Sequence, residues 1–488
     1  MRYILIFKVF DLDCGYKSDF MTRLKTIIFL LLIAFSSFAQ DHFKQKIDSV
    51  FTVLYEQNQF NGSVLVADNG KIIFSKGYGY SDTLSQYRNT PETIYELASC
   101  SKQFTAAAIV ILHRRGLLRY EDRIDQYIPE LSRWHDVTLY DLIRHTSGIP
   151  EYLIDMSRGW DHKKIANNND LIRFYAGRND TLSFRPGSVY RYCNTNYALL
   201  ASIIERVSGK TYADFLKENI FTPLKMKSTF VYNRRQAPKK INQLATGYVW
   251  KRGSFEKITL ENPNYGDSSV YYLDGIVGNA KVNSTILDIY KWINALASNS
   301  FFSSAEFELM TAKTKTSNGR NVSYGFGLDL SGEKDRINFG HTGSWDGYSS
   351  FIYHSMAKNR TIITLQNFKM GVYPFKTINQ LLDNKPIAIE YPKKIILPEM
   401  QISKFAGNYI SEKDSDVQTI TFSNGHLIHN SKNIRWDMRF FPISNNEFQG
   451  IRQGGADGVL KFTEMANGDV KLEMMEYGKV VGEGWRKK

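Results

Sequence analysis

Residues 96–112 read Glu96-Leu97-Ala98-Ser99-Cys100-Ser101-Lys102-Gln103-Phe104-Thr105-Ala106-Ala107-Ala108-Ile109-Val110-Ile111-Leu112. The run is rich in alanine, apolar at helical spacing and free of Gly and Pro until Gly116, which predicts a helix. Residues three apart share a helix face, so the Lys102 amine comes within reach of the Ser99 hydroxyl. A serine hydroxyl is a useful nucleophile only when a neighbouring base takes its proton. A lysine supplies that base if burial or nearby cations depress its pKa. Ser-x-x-Lys also occurs at Ser254–Lys257, Ser331–Lys334 and Ser355–Lys358, but in polar or turn-like sequence. An N-cap serine followed by a solvated lysine is the structural alternative for Ser99 and Lys102. The rest of the chain decides between the two.

Two further segments do so. Arg191-Tyr192-Cys193-Asn194-Thr195-Asn196-Tyr197 opens a second apolar helix that runs to Gly209. Gly340-His341-Thr342-Gly343-Ser344-Trp345 precedes two strand-like runs. The ordered set Ser-x-x-Lys, Tyr-x-Asn and His-x-Gly resembles the serine β-lactamase and penicillin-binding family, in its class C, DD-peptidase and esterase branch. Leu142-Ile143-Arg144-His145-Thr146-Ser147-Gly148-Ile149-Pro150, Pro223-Leu224-Lys225-Met226 and Tyr324-Gly325-Phe326-Gly327-Leu328 also match. The resemblance spans residues 43 to 386. A second Tyr-x-Asn at Tyr87-Arg88-Asn89 shows that the ordered set, not any one member, carries it.

The resemblance implies an acyl-enzyme at Ser99, with Lys102 and Tyr192 as the two candidate bases. A phenol titrates near pH ~10, so Tyr192 would need an adjacent cation such as Lys102 to act at neutral pH. The two titrate as a pair, and the choice between them stays open. Asn194 would orient a substrate amide or the lysine, and also suits a helix N-cap. His341-Thr342-Gly343 would lie on an edge strand along the cleft, with Gly343 allowing close approach of substrate. The oxyanion hole would use the backbone N–H groups of Ser99 and Ser344. His341 stands where many β-lactamases carry Lys, a fixed cation for a substrate carboxylate. That change weakens the case for efficient β-lactam hydrolysis and resembles DD-peptidases, D-aminopeptidases and esterases. His145 reads as a structural residue bonding loop backbone, and His113 as a surface residue.

The N-terminus carries a basic start at Met21-Thr22-Arg23-Leu24-Lys25, a short apolar run from Thr26 to Phe35, and Ser37-Phe38-Ala39. This is the pattern of a secretory signal peptide cleaved after Ala39, which implies an exported, periplasmic or extracellular protein. The apolar run is too short for a stable membrane span. Of three cysteines, Cys100 and Cys193 lie beyond that cleavage site and read as small buried side chains. No Cys or His spacing fits a metal, so neither metal nor other cofactor is expected. The net charge is +13, yet basic residues such as Arg234-Arg235 and Lys393-Lys394 occur only in short clusters, which argues against nucleic acid as a partner.

The expected fold class is α+β: an antiparallel sheet flanked by helices, a helical lobe, and a small all-β C-terminal domain. Residues 1–39 form a leader and signal peptide, 40–386 the hydrolase domain, 387–398 a proline-bearing linker, and 399–488 a lipocalin-like barrel or sandwich. In the last, alternating runs at Thr419–Phe422, Leu427–His429, Met438–Phe441, Glu447–Gln449, Val459–Phe462 and Val470–Glu473 predict strands, with turn signals at Asn424-Gly425, Gly454-Gly455 and Asn467-Gly468. A helix is predicted over Phe43–Gln57, and a hairpin at Ser63–Ala67 and Lys71–Ser75 around Asp68-Asn69-Gly70. Strands are predicted at Tyr324–Leu330, Ile337–Phe339, Ser349–His354 and Thr361–Gln366, and a closing helix over Met370–Asp383. The function expected is an exported serine hydrolase acting on a small D-amino-acid peptide, amide or ester, with the cell wall as a source. The alternative is a penicillin-binding sensor that acylates with little turnover.

Overall fold

The computed structural model describes residues 42–250, 257–259, 269–333, 336–369, 371–387, 390–413, 415–430, 438–451 and 457–488. The expected signal peptide with its cleavage site after Ala39, and the predicted turn at Gly454-Gly455, lie outside the described residues.

A helix, α1 (42–56), leads into the hairpin of β1 (Gly62–Asp68) and β2 (Lys71–Tyr78). Asn69 and Gly70 take φ of +49° and +74°, the left-handed pair that a two-residue hairpin loop requires. Four more strands follow far along the chain: β3 (Asp329–Ser331), β4 (Asn338–Trp345), β5 (Tyr348–Ser355) and β6 (Arg360–Gln366). The sheet order is β3-β4-β5-β6-β1-β2, antiparallel throughout. The N-terminal hairpin thus joins the sheet through β6, from Gly62↔Gln366 to Ala67↔Thr361.

Because β1 is internal, both its faces are covered and its side chains feed two cores. Leu65 and Ala67 point into the larger core under the helical lobe, while Val64 and Val66 pack with Phe51 of α1 and Ile378 of the closing helix. The lobe is built around α2 (Lys102–Arg114), buried without interruption from Lys102 to Leu112. Around it lie α3 (Tyr152–Gly159), α4 (Asn168–Ala176), α5 (Asn194–Ser208) and α6 (Ile286–Ala297). The closing helix α7 is shorter than expected, Phe375–Leu382.

Two elements differ from expectation in ways that shape the site. The helix predicted from Ser99 begins at Lys102, and Ala98–Ser101 forms a 3₁₀ turn before it. Of the strand predicted over Tyr324–Leu330, only Asp329 and Leu330 are strand, in β3, and the residues before them form a turn with Gly327 at φ +67°. A Cβ on Gly327 would fall 2.6 Å from Lys102 O, so the glycine lets this turn rest directly on the start of α2.

The C-terminal region is a closed eight-stranded barrel: β7 (Gly407–Ile410), β8 (Val417–Ser423), β9 (His426–Asn430), β10 (Met438–Pro442), β11 (Glu447–Ile451), β12 (Asp457–Glu464), β13 (Val470–Glu476) and β14 (Lys479–Arg486). Ile410↔Trp485 closes it, and Phe405, Tyr409, Phe440, Phe448 and Phe462 are among the side chains filling its interior. The preceding segment is tied at both ends. Pro392 O accepts from Gln57 Nε2, and Ile395 N–H donates to Pro442 O. From β10, Arg439 donates to Asn58 O at 3.0 Å and lies 5.2 Å from the Phe368 ring centroid.

Among the described residues, neither of the two cores on the faces of the six-stranded sheet draws a side chain from beyond Tyr391. A chain ending at Lys394 is therefore expected to unfold cooperatively and to keep reacting with a serine-directed probe. Calorimetry together with fluorophosphonate labelling checks this, and a non-cooperative melt would mean that the barrel completes the fold.

Candidate active site

Ser99 lies in the 3₁₀ turn directly after Ala98, whose φ is +49°. Holding a non-glycine residue in that region costs about 1 kcal/mol or more, so the surrounding packing must impose it. The packing partner is β4. Pairing with β3 ends at Gly340, so residues 341–345 have no strand on that side and meet the turn instead. Gly343 is the contact point: a Cβ there would stand 2.3 Å from Leu97 O and 3.1 Å from Ser99 N. Cys100 Sγ donates to His341 O at 3.2 Å and closes the same junction. The Ser99 backbone N–H thereby comes beside β4 one residue from Ser344. Thr342 and Ser344 are exposed along this open edge.

Lys102, the first residue of α2, is fully buried. Its Nζ lies 3.2 Å from Ser99 Oγ and donates to Asn194 Oδ1 at 2.9 Å and Asn279 O at 3.0 Å. Burial disfavours the ammonium and brings its pKa down to about 7, against the opposing pull of the Glu151 carboxylate. Tyr192 leaves 36% of its surface to solvent, but its ring lies 4.9 Å from Lys102 Nζ and its hydroxyl is turned inward toward Ser99. Burial of that hydroxyl pushes its pKa well above the usual phenol value. The expected lowering by Lys102 is not seen, since an amine that titrates near neutrality offers little positive charge.

Asn194 is the first residue of α5 rather than its cap, and Cys193 in the cap position makes no side-chain capping bond. Two side chains from the loop after Arg144 serve the helix start instead. Cys193 N–H donates to His145 Nδ1 at 3.1 Å, and Asn194 N–H to Glu151 Oε2 at 2.7 Å. Asn194 Nδ2 also donates to Glu151 Oε2, at 3.1 Å.

The Cys193 bond sets the direction of a longer chain. With Nδ1 accepting, His145 carries its proton on Nε2 and donates to Tyr324 Oη at 3.2 Å. Tyr324 then donates to His341 Nε2 at 3.2 Å, which leaves His341 Nδ1–H to donate to Thr342 O at 2.5 Å. Both imidazoles are buried, and burial lowers both pKa values. His341 is thus a neutral, inward-facing strut at 4% exposure, not the cleft-facing group read from the sequence. His145 bonds loop backbone as expected and also packs 4.3 Å from the Tyr192 ring centroid.

Several site residues were not singled out from the sequence: Glu151, Asn279, Tyr324 and a buried ionic ladder. Glu96 lies 3.5 Å from Lys281, which pairs with Asp274 at 2.9 Å. Asp274 meets Arg235 at 3.4 Å, and Asp346 holds Arg235 at 2.7 Å and Arg234 at 2.9 Å. Arg234-Arg235 therefore serves as internal structure and not as a surface charge cluster. The ladder joins a residue three before Ser99 to one two after Ser344, bracketing both backbone donors. Its value is positional, since buried ion pairs add little net stability once desolvation is counted. A cavity of about 60 Å³ opens beside Ser99, walled by Tyr152, Leu153, Leu273, Ile276, Asn279 and Trp345. Asn279 Oδ1 and Trp345 Nε1, an acceptor and a donor, are buried there without a hydrogen-bond partner among the described residues. Among the described residues no three His, Cys, Asp or Glu side chains are grouped to hold a metal ion.

The Beta-lactamase family model matches residues 42–380. The chain is 34% identical over 420 residues to penicillin-binding protein 4* of Bacillus subtilis (strain 168), covering 83% of this chain and 91% of that one. It is similar in fold to the octameric penicillin-binding protein homologue from Pyrococcus abyssi (TM-score 0.61, 23% identity, 91% of this chain and 99% of that one). A second structure of similar fold is D-amino acid amidase from Ochrobactrum anthropi SV3 complexed with D-phenylalanine (TM-score 0.55, 23% identity, 69% of this chain and 96% of that one).

Gly343→Ala is expected to slow acylation of Ser99 by about a hundredfold, because the added methyl pushes the turn away from β4 and opens the oxyanion geometry. Stopped-flow labelling with a fluorophosphonate measures it; an unchanged rate would mean the junction yields freely. A second expectation concerns Lys102. Its folded pKa of about 7 lies below its ordinary value of 10.5. Between those pH values the unfolded chain binds a proton that the native state does not, so stability is lost as pH falls from 10.5 and the penalty is complete below 7. The Tm of Lys102→Met relative to wild type should therefore be more favourable at pH 6 than at pH 9. Thermal melts at both values decide it, and a margin growing with pH would contradict it.

Proposed function

The chain belongs to the β-lactamase family of serine hydrolases, and on that premise we propose that it is an exported enzyme cleaving amide or ester bonds of D-amino-acid substrates through an acyl-enzyme. The observation that carries the mechanism is the buried Lys102 amine, 3.2 Å from Ser99 Oγ with a pKa near the operating pH. The neutral amine takes the Ser99 proton as Oγ adds to the substrate carbonyl carbon. Negative charge on the carbonyl oxygen is met by the Ser99 and Ser344 N–H groups. Tyr192, whose phenol stays protonated, delivers a proton to the departing amine or alcohol and is reprotonated from Lys102. Water then hydrolyses the acyl-enzyme, with the same two groups returning Ser99 to its starting state.

Three observations support the substrate class. The cavity beside Ser99 is small and mixed, with Leu153, Leu273 and Ile276 facing Asn194, Asn279 and Ser344, which suits a compact group that carries an amide or ester. The orphan acceptor on Asn279 and donor on Trp345 match the two polar ends of an amide. A buried neutral His341 supplies no cation for a β-lactam carboxylate, which favours peptide, amide or ester substrates. Export rests on the basic start, the apolar run and Ser37-Phe38-Ala39. Among the described residues no helix is long and apolar enough to cross a membrane.

Ser99→Ala should abolish fluorophosphonate and fluorescent-penicillin labelling while leaving the melt unchanged. In a panel of nitrocefin, a D-Ala-D-Ala peptide, D-amino-acid anilides and p-nitrophenyl esters, the wild type should turn over D-amino-acid amides or esters faster than nitrocefin. Labelling retained in Ser99→Ala would remove Ser99 as nucleophile, and persistent penicillin label with no turnover of any substrate would make the protein a binder.

A further inference from the structure

Glu151 is the carboxylate closest in bonding terms to the nucleophile's base, separated from it by one side chain. We propose that Glu151 is a positioning residue for acylation: it locks the Asn194 amide so that Oδ1 faces Lys102, and it holds a buried negative charge against the amine. This rests on the hydrolase reading above.

The geometry separates two duties. Glu151 Oε1 accepts from Leu153 N–H at 3.2 Å, the ordinary work of an N-cap for α3. Oε2 points the other way and accepts both donors of Asn194, the backbone N–H at 2.7 Å and Nδ2 at 3.1 Å. An asparagine amide can flip, and a flipped Asn194 would set Nδ2 against Lys102 Nζ, donor against donor. Oε2 removes that state, because only Nδ2 can face a carboxylate oxygen. The bond from Lys102 Nζ to Asn194 Oδ1 at 2.9 Å follows, and it aims the amine at Ser99.

The charge matters as well as the bonds. Lys102 is surrounded by Cys100 of its own turn, Cys193 at the start of α5, His145, His341, Tyr192, Tyr197 and the more distant Asp329. Burial keeps the thiols and the phenols protonated and the two imidazoles neutral. Glu151 and Asp329 are the carboxylates that act on Lys102, and Asp329 is exposed on β3. Burial raises the Glu151 carboxyl, and the hydrogen bonds from Asn194 and Leu153 and the nearby amine oppose that rise by favouring its charged form. A cap alone would need no such placement, and a structural role alone would leave the acid limb of the rate profile where it is.

The test follows the second-order rate of fluorophosphonate labelling from pH 5 to 9 in full-length wild type, Glu151→Gln and Glu151→Asp. A wild type that is not labelled would overturn the hydrolase reading itself. With labelling present, Glu151→Gln should lower the plateau rate at least tenfold and move the acid limb down by about one pH unit, since the ammonium loses its counter-charge. A limb coincident with wild type would overturn the proposal. Should Glu151→Gln fail to fold by near-UV circular dichroism, Glu151→Asp carries the test. It keeps the charge and draws the oxygens back from Asn194, so the plateau should fall while the limb stays within 0.3 pH unit. An unchanged plateau, or a shifted limb, would overturn the proposal.

Discussion

The rest of the structure depends on keeping one amine out of water. An ammonium is costly to bury, and Lys102 is buried completely, so its environment must compensate it in a way that leaves it reactive. The compensation is by neutral acceptors, Asn194 Oδ1 and Asn279 O, with a carboxylate one step removed. A direct ion pair would hold the proton in place, whereas no partner at all would abolish the site. The three walls around the amine come from α2, the start of α5 and the segment before α6, elements that only the docking of lobe on sheet brings together. Both lobes are needed because the chemistry needs a dry corner between them.

The sheet contributes the other half of the constraint. Its strand β4 is paired by β3 for three residues and then left open, which gives the nucleophile turn a rigid edge to rest on. Gly343 sets the closeness, and the His145–Tyr324–His341 chain sets the angle by tying that edge to the loop under Tyr192. The ionic ladder from Glu96 to Asp346 closes the frame on the far side. Neutral histidines on one side and buried, paired charges on the other both act by restricting where backbone donors can sit.

Local pattern made much of this legible. The spacing of Ser99 and Lys102, the hairpin at Asn69-Gly70 and six of the eight barrel strands follow from helical and alternating periodicity. The two missed strands explain themselves. Gly407–Ile410 is four residues long, and Lys479–Arg486 carries Gly482 and Gly484, so neither shows a clean alternation. Tyr324–Leu330 has strand-like composition, yet Gly327 serves contact with the start of α2 and Gly325 contact with Met310, tertiary demands invisible to period. Glu151 follows Pro150 in a segment that matters only because α5 begins next to it in space. Lys281, Asp274, Arg235 and Asp346 come from separate segments, and no single window could pair them. His341 was assigned to the cleft because its motif is, and only the register of β4 shows that its side chain alternates inward.

The pairing of β1 with β6 has a consequence for how the molecule comes into being. Gly62 finds Gln366 as its partner, so the sheet's central seam joins residues some three hundred positions apart. A chain released from its N-terminus, by ribosome or by translocation channel, displays the hairpin of β1 and β2 long before the strand that receives it exists. A lone two-stranded hairpin is marginal in water, and closing so long a loop is slow. The first strands must wait, solvated and unsatisfied, until nearly the whole hydrolase region has emerged. The dry corner that makes Lys102 reactive is therefore among the last features to form, and partial chains carry Ser99 and Lys102 without the burial that turns the amine into a base.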